Sequence, residues 1–232
     1  YAHLGQYRCP NCGHRRPKPQ VYIDRLWDVD ARGSSFRLVS LEGACEVRLQ
    51  IPGLYNVYNA LAAAAGAVAL GLPLPAIRQG LEATTSQFGR MERITIDDRQ
   101  VFMALVKNPA GFDSVIQTVM QAEFRKNLVI AINDRYADGT DVSWLWDVDF
   151  EALAGHQDEI NFIICTGRRA EDMAVRLKYA GIDVAKLSIE KDPGAAVKQG
   201  LRYIQSGDLL YILPTYTAML QIRDLIARVD AA

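Results

Sequence analysis

The residues of this chain that could do chemistry fall into separate clusters. Cys9-Pro10-Asn11-Cys12-Gly13 is a C-x-x-C turn of the zinc-knuckle type, two thiolates on a tight reversal with Gly13 letting the chain turn back. A structural zinc takes four ligands, so the turn supplies half a site, and His3 and His14 match no common ligand spacing. Asn56 and Asn59 stand three apart at the start of an apolar helical pattern, which puts both carboxamides on one face near its N-terminus. An amide both donates and accepts, so such a pair can read an adenine edge; one of the two could equally cap the helix. Arg90 lies in the turn Phe88-Gly89-Arg90-Met91-Glu92, and Lys107-Asn108-Pro109-Ala110-Gly111 follows an apolar run at once. Last comes Asp138-Gly139-Thr140-Asp141-Val142-Ser143-Trp144-Leu145-Trp146-Asp147-Val148-Asp149, with two tryptophans among acids. Aromatics are enriched at interfaces, which marks this stretch as partner-facing. Asp147 and Asp149 could also cap a helix around 150–154, and Asp141 could shape the turn.

The elements that position these clusters follow from hydrophobic pattern. Short apolar runs at 101–106 and 127–132 have the length and composition of buried strands, and a helical pattern (Val115, Val119, Ala122) lies between them. Strands at 160–165, 184–189 and 209–213 alternate with helices at 170–180, 194–204 and 216–229, the order expected of a parallel sheet covered on both faces. Ligands bind outside the carboxyl ends of such strands, so the 107–111 and 133–149 turns fall on the working edge. The earlier part reads as short strands at 21–26, 35–39 and 45–51, then helices through 60–72 and 75–84. The best domain boundary is the Gly-Arg turn before a strand at 94–96.

Composition bounds the rest. With 26 Lys and Arg against 27 Asp and Glu, the net charge of −1 argues against a nucleic-acid binder. No apolar run reaches the length of a membrane span, the N-terminus has no signal-peptide h-region, and four cysteines do not form a secreted disulfide framework, so the chain reads as cytoplasmic. Neither Cys45 nor Cys165 sits with a histidine in a nucleophile motif, and Cys165 ends an apolar strand as a small buried hydrophobe.

The stretch Gly53-Leu54-Tyr55-Asn56-Val57-Tyr58-Asn59-Ala60-Leu61-Ala62-Ala63 resembles the adenine-binding segment of the Mur ligases, and Phe88-Gly89-Arg90-Met91-Glu92 resembles their central-to-C-terminal turn. Within that family the chain is similar to the MurT group, ligase-like subunits of lipid II isoglutaminyl synthases. The conjunction of C-x-x-C, the asparagine pair, Lys-Asn-Pro-Ala-Gly and Asp-Gly-x-Asp-x-Ser-Trp carries that resemblance. It implies a zinc-ribbon remnant over 1–20, the remainder of a Mur ligase central domain over 21–90, and a Rossmann-like C-terminal domain over 91–232. It also implies ATP and Mg2+ as cofactors, with Asn56 and Asn59 on adenine and Arg90, Lys107 and Asn108 near ribose or phosphates. A structural Zn2+ would be held in part by Cys9 and Cys12.

The implied reaction is ATP-dependent amidation of the α-carboxylate of D-isoglutamate in the lipid II stem peptide, through an acyl phosphate attacked by ammonia. Ammonia would come from a GatD-type glutaminase subunit whose Cys-His pair is completed by an aspartate of this chain, Asp141 or Asp147. Work on a lipid-linked substrate implies the inner face of the membrane. No Walker-A motif occurs in the sequence, so the family's preceding part is expected to be missing and the chain alone to be inactive. Two other readings are an amino-acid-adding Mur or folylpolyglutamate-type ligase, against which Lys107-Asn108-Pro109 argues, and a non-catalytic scaffold that binds a partner.

Overall fold

The computed structural model describes residues 5, 7–30, 33–85, 91–96, 98–121, 125–205 and 207–229. Strands β1 (Tyr22–Asp30), β2 (Gly33–Ser40) and β3 (Gly43–Leu49) form an antiparallel sheet in the order β1-β2-β3. Alternation along β2 and β3 turns Phe36, Leu38, Val47 and Leu49 inward, while Arg37, Glu46 and Arg48 stay outside. Helices α1 (Leu54–Ala69) and α2 (Leu74–Glu82) cover that inner face. Val57, Ala60 and Ala64 are the α1 residues buried there, and the two alanines let its backbone come close.

The second region has its own sheet. In chain order it runs β4 (Glu92–Ile96), β5 (Arg99–Met103), α3 (Pro109–Met120), β6 (Lys126–Ala131), α4 (Glu151–Ala154), β7 (Ile160–Thr166), α5 (Ala170–Tyr179), β8 (Leu187–Ile189), α6 (Pro193–Tyr203), β9 (Leu209–Pro214) and α7 (Tyr216–Val229). The strand order is β4-β5-β9-β6-β7-β8. All pairings from β5 onward are parallel; β4 alone runs antiparallel, against β5. The strand–helix alternation thus gives the expected parallel sheet, and the two residues between β4 and β5, far too few for a crossover, add a hairpin at its edge.

Strands β6 and β9 are buried at every position, which explains why they read as unbroken apolar runs rather than alternating ones. On one face α3, α4 and α5 pack through Val115, Ile116, Leu153, Met173 and Leu177. On the other, α6 and α7 pack through Ala196, Val197, Met219 and Ile222. The strand expected over 184–189 is confined to β8. Asp183 accepts a bond from the Ala185 amide (2.9 Å) and winds Val184–Lys186 into a 3-10 turn instead.

Two features set the working edge. The chain beyond β5 keeps bonding to β9, from Ala104 N to Ile212 O (3.0 Å) and Val106 N to Pro214 O (2.9 Å), so Lys107 emerges level with the end of β9. The connection from β5 to β6 passes over one face and that from β8 to β9 returns over the other. β9 therefore lies at the switch point, with the 107–111 and 133–149 turns on its carboxyl side.

Candidate functional site

A cleft of about 470 Å3 separates α1 from the turn after β5. Tyr55, Tyr58 and Asn59 line it from α1, and Met91, Lys107 and Asn108 from the C-terminal region. Its size suits a small-molecule ligand. The two regions meet at one end of it, where the backbone of Gly53 adopts φ 94° and a Cβ there would come within 3.2 Å of Thr118 Oγ1 on α3. A larger hollow, about 610 Å3, lies beside Ser34 and Arg48 at the far end of β2 and β3, and no candidate site residue lines it.

The asparagine pair is joined as its spacing predicted: Asn59 Nδ2 donates to Asn56 Oδ1 (3.2 Å). Asn56 in turn donates to Pro52 O (2.7 Å), and neither side chain caps α1. Asn56 is half-buried and does not line the cleft, while Asn59 is exposed in it. Asn108 caps α3, its Oδ1 accepting from Gly111 N (2.8 Å), with Pro109 at the first helical position, where the missing N–H costs nothing. Lys107 is exposed and has no ion-pair partner among the described residues. Arg90, the other expected cation of the cleft, lies outside the described residues.

The acidic loop forms an arch held at both ends. At its start, buried Asn133 donates from its amide to Thr215 Oγ1 (2.9 Å) and from Nδ2 to Thr217 Oγ1 (2.9 Å) and Gln221 Oε1 (3.0 Å). Its Oδ1 accepts from Arg168 N (3.0 Å). Gly167 makes that bond possible: its φ is 89°, and a Cβ would lie 2.6 Å from Ile132 O and 2.9 Å from Asn133 Oδ1. Asp138 is buried and accepts from Thr217 N (2.7 Å), Thr217 Oγ1 and Arg135 N (3.1 Å). Asp134 pairs with Arg168 Nε (2.6 Å) and Arg169 Nε (2.8 Å), and the Arg168 bond above all holds its carboxyl below the usual carboxylate range.

Beyond this anchor, Asp141 is exposed. Its Oδ1 accepts from Ser143 N (2.8 Å), which shapes the turn and, with the Ser143 amide as the main cause, lowers its pKa. The 3-10 turn Ser143–Asp147 then separates the two tryptophans. Trp144 is half-buried against Phe112, ring centres 6.4 Å apart, whereas Trp146 is 55% exposed. Asp147 is exposed beside it, and Asp149 accepts from Ala152 N (3.2 Å) although Phe150, not Asp149, is the N-cap of α4. Of the two expected aromatic anchors, only Trp146 is available on the surface.

At the arch's far end stands Arg176, buried in α5 and bonded to Leu145 O, Val148 O and Glu151. Nothing in the sequence marks it, because an arginine within a helix reads as a surface cation. Asn133 was visible as a polar residue ending an apolar strand, but its links to Thr217 and Gln221, 84 and 88 residues away, were not.

The cysteine turn has knuckle geometry: Cys9 N donates to His14 O (2.6 Å) and Gly13 N to Cys9 O (3.1 Å). The Cys12 amide first, then that of Asn11, donates toward the Cys9 sulfur and lowers its pKa, as a metal-binding thiolate requires. Two thiolates fit half a zinc site. No group of three or more His, Cys, Asp or Glu that could hold a metal occurs among the described residues, and His3 lies outside them.

An antiparallel sheet with two helices, joined across a cleft to a mainly parallel sheet covered by helices on both faces, is the fold class of the Mur ligases. MurF from Acinetobacter baumannii superposes with a TM-score of 0.70 at 21% identity, covering 90% of this chain and 45% of that one. Residues 105–219 match the family described as MurT ligase C-terminal. The chain is 38% identical over 229 residues, 98% of its length and 49% of the relative's, to the protein of Streptococcus pneumoniae named lipid II isoglutaminyl synthase (glutamine-hydrolyzing) subunit MurT. It is 35% identical over 219 residues to the protein of that name from Staphylococcus aureus, covering 94% of this chain and 47% of that one. The chain spans about half the length of these curated relatives. Over the length it spans, it belongs to the MurT family.

Proposed function

We propose that this chain forms one wall of the nucleotide cleft and the nitrogen-supply face of a glutamine-dependent amide ligase acting on lipid II. The observation that carries this reading is Asn59 facing Lys107 and Asn108 across one cleft, in a chain 38% identical over 98% of its length to a MurT subunit. The reaction is amidation of the α-carboxylate of D-isoglutamate in the stem peptide to D-isoglutamine.

A carboxylate does not expel oxide, so it is first phosphorylated by ATP to an acyl phosphate with release of ADP. Ammonia attacks the carbonyl carbon, and inorganic phosphate leaves. Asn59, held by its bond to Asn56, presents its carboxamide to the adenine edge, and Asn56 acts through Asn59. Lys107 places its charge where negative charge builds on the transferring phosphoryl group, and Arg90 is assigned beside it. Asn108 holds the turn that carries Lys107, through its cap on α3. Mg2+ travels with the nucleotide phosphates and shares their charge; we assign it no ligand in this chain.

Ammonia is made by a GatD-type glutaminase subunit that docks on the arch. Asp141 or Asp147, both exposed there, reaches the partner's catalytic histidine and holds its imidazolium. Cys9 and Cys12 are half of a structural zinc site completed by ligands outside the described residues. No described helix is long and apolar enough to cross a membrane, and the complex meets its lipid-linked substrate at the inner membrane face.

The test is reconstitution of the complete subunit with the glutaminase, lipid II, ATP, Mg2+ and glutamine carrying heavy nitrogen at the amide. Heavy nitrogen in the D-isoglutamine of lipid II supports the reading. ATP consumption with the heavy nitrogen left in free ammonia or in unhydrolysed glutamine, or addition of an amino acid instead, overturns it.

A further inference from the structure

Arg176 carries a charge that the reaction above does not use, with its side chain only 4% exposed. Its Nε donates to Leu145 O (3.1 Å) and its Nη2 to Val148 O (2.8 Å). Nη1 and Nη2 form a two-pronged pair with Glu151, at 3.0 and 2.8 Å. The guanidinium carbon lies 5.5 Å from the centre of the Trp146 ring and 5.3 Å from that of Phe150. One side chain thus touches the arch at Leu145, Trp146, Val148, Phe150 and Glu151.

Burying a guanidinium is costly unless its donors are bonded. Here the donors go to the carbonyls and carboxylate of one loop and its short following helix, not to another core element. A planar fork suits that task, since it fixes several acceptors at once in one geometry. The outer side of the clamp is exposed: Trp146 rests on the guanidinium with Tyr179 of α5 5.9 Å away, and Asp147 follows in the chain.

The geometry points to Arg176 as the positioning residue of the arch, setting the shape in which Trp146 and Asp147 are presented to the partner subunit. This rests on the reading that the arch faces the glutaminase. Arg176 touches no substrate; it acts through the loop it holds. Arg125 serves as a control for the Arg-to-Lys change itself: exposed, it bonds Asn161 Oδ1 (2.6 Å) and Asp158 O (2.9 Å) at the opposite end of the sheet.

The experiment compares Arg176→Lys, Arg125→Lys, Asp141→Asn and Asp147→Asn in the complete subunit with saturating glutaminase. The readouts are kcat and KM for glutamine, and backbone hydrogen exchange over 145–151. In Arg176→Lys the arch amides exchange about tenfold faster while β6 and β7 keep their protection. Glutamine kcat falls about tenfold to a hundredfold with KM little changed, because the presented groups are misplaced rather than removed. Arg125→Lys matches the parent in both. Parent kcat from Arg176→Lys while either aspartate variant is slow overturns the positioning role, as does an arch that exchanges like the parent's. Parent kcat from all the arch variants overturns the reading on which the role rests, and the role with it.

Discussion

At the cleft, polar groups face outward with bonding capacity to spare; at the arch, most are already bonded to the protein. Lys107 is exposed, and Asn59 uses one donor on Asn56 and keeps its carbonyl for something else. Around the arch, Asn133 has four bonds, Asp138 three, and Arg176 is enclosed by carbonyls, a carboxylate and two rings. The difference separates two ways of building a site on one sheet edge. Spare groups converging in a cleft bind a small ligand, whereas a saturated network makes a rigid frame that displays the few side chains left outside it. At the arch the displayed side chains include Asp141, Trp146 and Asp147.

The largest effect expected comes from the frame. Trp144→Ala removes a half-buried ring from against Phe112 and should cost about 2–4 kcal/mol of stability, read from denaturant unfolding. Trp146→Ala should instead leave stability nearly unchanged and weaken glutaminase binding by about 2 kcal/mol, as truncated aromatic anchors do, read by titration calorimetry. Equal effects of the two on stability would erase the distinction between frame and display. In the cleft the order should be set by charge. Lys107→Ala should weaken ATP binding by about 1.5–3 kcal/mol and Asn59→Ala by about 0.5–1.5 kcal/mol, both with unchanged melting temperature. Unaltered ATP affinity in both would move the nucleotide elsewhere.

Acid should expose the frame's dependence on Asp134. Its folded-state pKa lies below the unfolded value, chiefly through the Arg168 bond, so its stabilisation is complete above the usual aspartate range. That stabilisation is lost as the pH falls through the lowered folded value. The melting-temperature gap between parent and Asp134→Asn should therefore be present at neutral pH and close in acid. A gap that widens in acid would mean that the carboxylate is not what the two arginines hold. The smallest effect concerns the thiols. Cys9, with its pKa lowered by the Cys12 amide, should alkylate readily in the metal-free protein. Cys165, pushed up to about 12 by burial, should react only on unfolding. Mass spectrometry of timed alkylation, with elemental analysis for zinc, checks both.

What the sequence made legible was local. The β6 and β9 runs, the helix after Pro109 and the 216–229 helix follow from apolar pattern and capping chemistry, and the Asn56–Asn59 contact from spacing alone. The knuckle likewise needs nothing beyond Cys9 to His14. What was hidden depends on which distant residues the sheet brings together. The pairing of Asn133 with Thr217 exists because β9 inserts beside β6, an order no local pattern encodes. Trp144 and Trp146 look alike in sequence, and only the 3-10 turn that contains both decides that one packs inward. Arg176 is invisible for the same reason, since its partners belong to a loop 25 to 31 residues earlier.

The central claim is a division of labour, with ligation at the cleft and nitrogen supply through the arch. It is tested most directly by measuring lipid II amidation in the reconstituted complex with glutamine, and again with ammonium salt replacing it. Asp141→Asn or Asp147→Asn should slow the glutamine-driven reaction and leave the ammonium-driven one at the parent rate, while Lys107→Ala slows both. Ammonium that fails to rescue the slow aspartate variant, or that restores Lys107→Ala, would contradict the account.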